Sequence, residues 1–334
     1  MNKKLIILPL FMIALAAACT KEPLKIGFSV GDFSSDRWSQ EPQIFQDEAT
    51  SLGAEVLFEY AYGDANQQVE QVKKLIASGI QVLIIFPTNA ENWAATVDEA
   101  HKAGITVIAY DRMLTNADVD YYFSFFNDEV GRQQAEYALN KCPKGNYIIL
   151  GGPTSDNNSL LLMKGQKEVL KPGVDKGDIT VVLEKHLATW NSIDAYNEMQ
   201  LFLENNKKIK IDAILAANDE LAGGTIMALE MVMDNIDMVI TGQDASVGGC
   251  QNIINGKQSM TVYKSIRNLA KEAAQTSVKL AKGEKITNAV NSVSNGSKDI
   301  PAVLLKTVPV DRNNLRETVI ADGFLKEDQL NFNP

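Results

Sequence analysis

The sequence predicts an α/β protein of two doubly wound parallel-sheet lobes joined by a multi-strand hinge, and three observations carry that prediction. A unit of amphipathic helix, glycine and apolar strand repeats through the first third of the chain. A second series of such units follows Lys144-Gly145, and no Pro- or Ser-rich linker divides the two. The chain then runs back through further strand and helix patterns, as expected of lobes joined by several crossings. Continuous apolar strands alternating with helices form parallel sheets covered on both faces.

The chain begins with Lys3 and Lys4, an apolar run from Leu5 to Ala18, and Cys19. A charged start, an apolar middle and a small-residue end form the pattern of an export signal. The run is shorter than the roughly 20 residues that span a bilayer, so residues 1–18 are expected to be a removable signal peptide. Ala16-Ala17-Ala18 before Cys19 resembles a bacterial lipobox, which implies a lipid on Cys19 and a short tether over 19–23. The mature protein is then expected on a bacterial membrane, facing the periplasm or the exterior.

In the first series, Ile44, Phe45, Ala49 and Leu52 fall at helical spacing and stop at Gly53, ahead of a strand over 54–58. Val69, Val72, Leu75 and Ile76 stop at Gly79, ahead of 82–86, and a unit around Val97 and Ala100 stops at Gly104, ahead of 105–110. A helix end favours a left-handed residue, which glycine supplies. The second series predicts strands over 147–150, 179–183, 211–216 and 238–241, with helices near 158–171, 193–206 and 220–233. Then come 260–263, a long helix carrying Leu269, Ala273 and Val278, and a late strand over 303–305. The amino-terminal lobe is expected over 24–125 plus 267–302, and the carboxy-terminal lobe over 126–266 plus 303–334.

Composition removes several function classes. The formal charge is −10, and loss of Lys3 and Lys4 makes it about −12, with no basic patch to displace counterions from a phosphate backbone. Nucleic acid is therefore not an expected partner. Besides Cys19 there are only Cys142 and Cys250, too few for a disulfide framework and without histidine at metal-ligand spacing. His101 and His186 are the only histidines, and no Gly-x-Ser-x-Gly elbow is present. Gly256-Lys257 is followed by Gln258 where a phosphate loop requires Ser or Thr. No enzyme, cofactor or metal is expected; a carboxylate pair such as Asp111 and Asp244 is the one remaining route to glycoside hydrolysis.

The expected chemistry lies at the carboxyl ends of the strands, where open α/β sheets bind ligands. The strands exit into Asp32 and Arg37-Trp38, Asn89, Asp111-Arg112, Asp156-Asn157, Asn218-Asp219, Gln243-Asp244 and Lys264. A neutral polyol both donates and accepts hydrogen bonds, so its site needs Asp to accept, Arg and Lys to donate and Asn to do both. Its C–H face suits an aromatic ring, and Trp38 and Trp190 are the candidates. Each residue also has a structural alternative. Asp and Asn commonly cap helices or form turns, Arg112 could pair with Asp111, and Trp190 could be core.

Seven segments together resemble the periplasmic sugar-binding proteins of the ribose type, which have the type I periplasmic binding protein fold. They are Lys25-Ile26-Gly27-Phe28, Asp36-Arg37-Trp38, Ala109-Tyr110-Asp111-Arg112-Met113, Gly151-Gly152 with Asp156-Asn157-Asn158, Asn218-Asp219 with Ala222-Gly223-Gly224, Gly242-Gln243-Asp244-Ala245, and Met260-Thr261-Val262-Tyr263-Lys264. Within that family the resemblance is greatest to its D-xylose-binding members. It implies that Arg37, Asp111, Arg112, Asn157, Asn218, Asp244 and Lys264 hydrogen-bond the sugar while Trp38 and Trp190 pack on its faces. It also implies a monomer that closes on a monosaccharide, D-xylose first, and delivers it to a membrane ABC permease. Arabinose, ribose or glucose as ligand, or a sensory receptor or histidine kinase as partner, are the alternatives. The chain departs from the family pattern at Phe126, where aspartate is expected, at Ser265, where proline is expected, and over His186-Leu187-Ala188-Thr189 beside Trp190.

Overall fold

A computed structural model describes residues 23–32 and 36–332. The expected signal segment and Cys19 lie outside the described residues. The first half runs β1 (Leu24–Val30), α1 (Glu41–Ser51), β2 (Ala54–Tyr60), α2 (Ala65–Ala77), β3 (Val82–Phe86), α3 (Ala94–Lys102), β4 (Thr106–Tyr110) and β5 (Tyr121–Phe125). The second runs α4 (Asn127–Lys141), β6 (Gly145–Gly151), α5 (Asn157–Lys176), β7 (Ile179–His186), α6 (Ser192–Asn205), β8 (Ala213–Ala216), α7 (Asp219–Glu230), β9 (Val239–Thr241), α8 (Val247–Ile254) and β10 (Thr261–Tyr263). The return is α9 (Ile266–Ala281), β11 (Asn291–Ser294), β12 (Asp299–Leu305) and β13 (Val308–Val310).

The strands form a seven-stranded sheet in the order β11-β12-β5-β4-β3-β1-β2, a four-stranded sheet in the order β7-β6-β8-β9, and the pair β10-β13. All pairings in the first two are parallel except β11 with β12. Alternate residues of the first sheet face opposite cores. Ile26, Phe28, Val82, Ile84 and Ile108 meet α9 through Leu269, Ala273 and Val278. Leu83, Ile85, Val107 and Ala109 meet Val72, Leu75 and Val97 on the other side. This double coverage is why the strands read as unbroken apolar runs. Gly53, Gly79 and Gly104 take φ of 87°, 76° and 75° at the helix ends where the repeat places them.

Three crossings join the lobes. The first follows β5, the second runs from β10 through Lys264 into α9, and the third lies between β12 and β13. The expected division at 302/303 is corrected here. Val303, Leu304 and Leu305 pair with Phe123, Ser124 and Phe125, so they belong to the first sheet and the crossing falls just beyond them. The short apolar run gave no sign of which sheet would hydrogen-bond it. Ser265, at the position where proline is expected, caps α9 by accepting from the Asn268 N–H. Phe126 stands at the start of α4 without a side-chain cap and donates its N–H to the Leu305 carbonyl at 3.2 Å.

Candidate functional site

Each sheet reverses its strand order once, between β1 and β3 and between β6 and β8. Ligands of doubly wound sheets bind outside the strand ends at such points. On the first lobe, β1 leads through Asp32 to the turn Asp36–Ser39, which carries Arg37 and Trp38, and β4 ends at Asp111 and Arg112. On the second, β6 leads to Asp156 and Asn158 at the start of α5, β8 to Asn218, and β9 to Gln243 and Asp244, with Lys264 after β10. Side chains from both sets line one tight cavity between the lobes, with a volume of about 40 Å³.

The two aspartates at its centre have unusual backbones. Asp111 has φ 59° and Asp244 φ 89°, a left-handed region that costs a non-glycine residue on the order of 1–2 kcal/mol. For Asp111 the surroundings enforce it: the Tyr122 and Ser124 hydroxyls each donate to its carbonyl at 2.8 Å, and Asn158 Nδ2 does so at 3.1 Å from the other lobe. Such strain concentrates at ligand sites, where it aims a side chain the regular strand would point elsewhere.

The cations are all engaged. Arg37 Nη1 stands 3.0 Å from Asp111 Oδ1 and 4.0 Å from Asp244 Oδ1 across the cleft. Arg112 joins the lobes, with Nη1 2.8 Å from Asp32 and Nε 2.9 Å from Asp156. Lys264 Nζ is 3.0 Å from Asp244 Oδ1. Burial pushes the Asp111 carboxyl up, but Arg37, Lys264 and Arg112 together outweigh it and hold the group below its ordinary value. Burial prevails at Asp156, whose carboxyl is raised despite Arg112.

Three buried acceptors at the cavity, Asp111 Oδ1, Gln243 Oε1 and Asp244 Oδ1, accept no hydrogen bond. The two aspartate oxygens have cations at ion-pair distance but without hydrogen-bond alignment. Gln243 Oε1 has no partner of either kind, and leaving a buried polar atom unpaired costs about 1–3 kcal/mol. All three belong to residues that line the cavity, where a ligand with hydroxyl donors would meet them.

Eight of the nine residues expected at the site line this cavity: Arg37, Trp38, Asp111, Arg112, Trp190, Asn218, Asp244 and Lys264. Asn157 does not. It lines a separate cavity with Asn116, Thr154 and Ser155, and Asn158 takes its place. The reason is helical geometry: Asp156 caps α5 through the Asn158 N–H, and successive residues of the first turn point about 100° apart. The capping alternative also holds in part. Asn218 Oδ1 accepts from the Leu221 N–H at 2.9 Å while its side chain lines the cavity. Asn89 does not line the cavity; its side-chain Oδ1 accepts from the Glu91 N–H at 2.8 Å.

Trp38 already carries Phe86, stacked at 3.6 Å between centroids, and the Arg37 guanidinium 4.6 Å from its ring centre. The cavity meets only the rest of its surface. Trp190 is half-buried and donates from Nε1 to Asp156 Oδ2 at 3.1 Å. Phe126 does not line the cavity. Asp156, Asn158 and Gln243 line it without having been expected as ligand residues, although Asp156 and Gln243 stand in the strand-end pattern.

Residues 26–285 match the profile of the periplasmic binding protein domain. The chain is 41% identical over 315 residues to the D-xylose-binding periplasmic protein of Haemophilus influenzae, covering 94% of each chain. It is 42% identical over 314 residues to the D-xylose-binding periplasmic protein of Escherichia coli, again covering 94% of each. Among solved structures, an ABC transporter solute binding protein from Clostridium phytofermentans with bound β-D-glucose superposes with a TM-score of 0.86 at 32% identity, covering 92% of this chain and 100% of that one.

Proposed function

Because the chain belongs to the periplasmic binding protein family, we propose that it captures a neutral monosaccharide, D-xylose first, between its lobes and delivers it to a membrane ABC importer. The observation that carries this reading is a cavity between the lobes lined by mutually paired carboxylates and cations, two tryptophans, and amides that include the unpartnered Gln243 Oε1. Sugar hydroxyls donate to Asp111, Gln243 and Asp244, and accept from Arg37, Arg112, Lys264 and the Asn218 amide. Trp190 and the free surface of Trp38 cover the C–H faces.

The magnitudes are sufficient. Several charge-assisted bonds at about 1.5–3 kcal/mol each and one unpaired acceptor at about 1–3 kcal/mol, set against association and ordering costs, reach the roughly 8 kcal/mol of a micromolar site. Contacts from both lobes give the sugar a higher affinity for the closed form than for the open one, which is what drives closure. The protein works outside the cytoplasm, and Cys19 carries the lipid that tethers it.

Isothermal titration of residues 20–334 with D-xylose, D-ribose, L-arabinose, D-glucose and D-galactose tests the reading. One-to-one binding with D-xylose tightest supports it. Tightest binding of another sugar retains the mechanism and reassigns the ligand, and no binding of any sugar refutes it.

A further inference from the structure

Arg37 is the most confined cation of the site, and most of what confines it lies behind the cavity. Its Nε and Nη2 each stand 3.0 Å from Glu41 Oε2, and the Tyr110 hydroxyl donates to Glu41 Oε1. Glu41 and Tyr110 are fully buried, and neither lines the cavity. Only the Arg37 Nη1 corner remains for Asp111, Asp244 and a ligand.

We propose that Glu41 is a positioning residue for ligand capture: it grips the Nε/Nη2 edge of Arg37 and so fixes Nη1 as the donor that the Asp36–Ser39 turn presents to the ligand. The inference rests on the sugar-binding reading and assigns a role to a residue that touches no sugar. An arginine fork held along one edge by a carboxylate loses the freedom of its long stem, so less ordering cost remains when the ligand binds.

The grip depends on charge. Arg37, Tyr110 and Asp111 face Glu41 from its own lobe, while Asp244 reaches Arg37 across the cleft and Lys264 reaches Asp244. Helix α9 packs along α1 but makes no ion pair with Glu41 among the described residues. Burial, only partly countered by Arg37, raises the Glu41 carboxyl to about 7. Protonation turns one of its oxygens into a donor facing other donors, so the grip loosens and sugar affinity falls as pH drops through about 7. Folding responds with the opposite sign. A raised carboxyl stabilises the folded chain at pH values below its unfolded pKa, and that contribution is lost as pH rises through the folded value.

The test is D-xylose titration of residues 20–334 from about pH 5 to about pH 8 for the natural chain, Glu41→Gln and Glu41→Asp, with the Arg37 Nε–H followed by NMR in the absence of sugar. The natural chain should weaken about tenfold toward acid, and Glu41→Gln should be about tenfold weaker at pH 8 and nearly flat with pH. Glu41→Asp should restore part of the affinity together with the pH dependence, and the Arg37 Nε–H should shift with a midpoint near 7 that Glu41→Gln abolishes. A folded Glu41→Gln chain with natural affinity overturns the proposal. An Arg37 Nε–H signal that Glu41→Gln leaves unchanged at pH 8 does so as well. If the natural chain binds no sugar at any pH, the sugar reading fails instead, and the Arg37 signal still decides whether Glu41 controls the guanidinium.

Discussion

A single methyl group placed at Gly152 should disable the site while leaving the fold in place. A Cβ built there would lie 2.6 Å from three atoms of the Trp190 ring. Carbon atoms settle about 3.5–4.0 Å apart, so the indole must move by about 1 Å. Trp190 is half-buried against the edge of the second lobe's core, so the indole yields toward its exposed side at the cost of part of that contact. Its movement lengthens the 3.1 Å bond from Nε1 to Asp156, the carboxylate that holds Arg112 at 2.9 Å across the cleft. One charge-assisted bond and the aromatic cover are weakened together, at roughly 0.5–1.5 kcal/mol for the stacking and 1.5–3 kcal/mol for the bond. Calorimetric titration of Gly152→Ala with D-xylose should therefore show affinity reduced on the order of 30- to 1,000-fold, with a melting temperature within a few degrees of the natural chain. A folded variant with an unchanged isotherm would refute the placement of Trp190 and its link through Asp156 to Arg112.

Asp111→Asn keeps a residue that tolerates the left-handed backbone and removes the charge facing Arg37, so affinity should fall roughly 10- to 150-fold; near-natural binding would remove Asp111 from the site. Asp219, buried behind the Asp244 loop and bonded by Gln258 and the Ser246 N–H, is raised by that burial to about 7. Its stabilising contribution is present below about pH 4 and lost as pH rises through 7, so denaturant stability should decline less from about pH 6 to pH 8 in Asp219→Asn, and parallel curves would count against it. The three cations Arg37, Arg112 and Lys264 are each already paired with at least one of Asp32, Glu41, Asp111, Asp156 and Asp244. D-xylonate should thus bind at least about 100-fold more weakly than D-xylose, and comparable affinities would contradict the paired state of the cations. Cys19→Ser should release the chain from membranes without changing sugar affinity, and retention in the membrane fraction would end the lipid-anchor reading.

The double winding was legible because burial on both faces leaves a mark that survives in one dimension. Strands such as Val82–Phe86 hold only apolar residues, and Gly79 and Gly104 stop their helices where a left-handed residue is needed. Partner choice leaves no such mark. Nothing in Val303-Leu304-Leu305 distinguishes pairing with β5 from joining the other sheet, and that choice alone moves the third crossing. The edge strand Asn291–Ser294 was invisible for a related reason, because its polar residues carry neither the apolar run nor a clean alternation.

The site was legible to the extent that its residues stand on strand exits, because the fold itself brings those exits together. Asp111, Asn218 and Asp244 could be named from that rule alone. Asn158 could not be separated from Asn157, because the difference is one step around a helix whose first residue is set by the Asp156 cap. Glu41 lies on α1 and not at a strand end, so the rule passes over it. The remaining signal was Arg37 and Glu41 at i and i+4, a spacing that on an exposed helix is worth only about 0.2–0.5 kcal/mol and is too common to single out. What changes its meaning is full burial beneath Tyr110, since a buried charge must be paired or neutralised. Sequence spacing identifies the partner, and only the packing around it turns an ordinary ion pair into one that sets the orientation of a ligand-facing arginine.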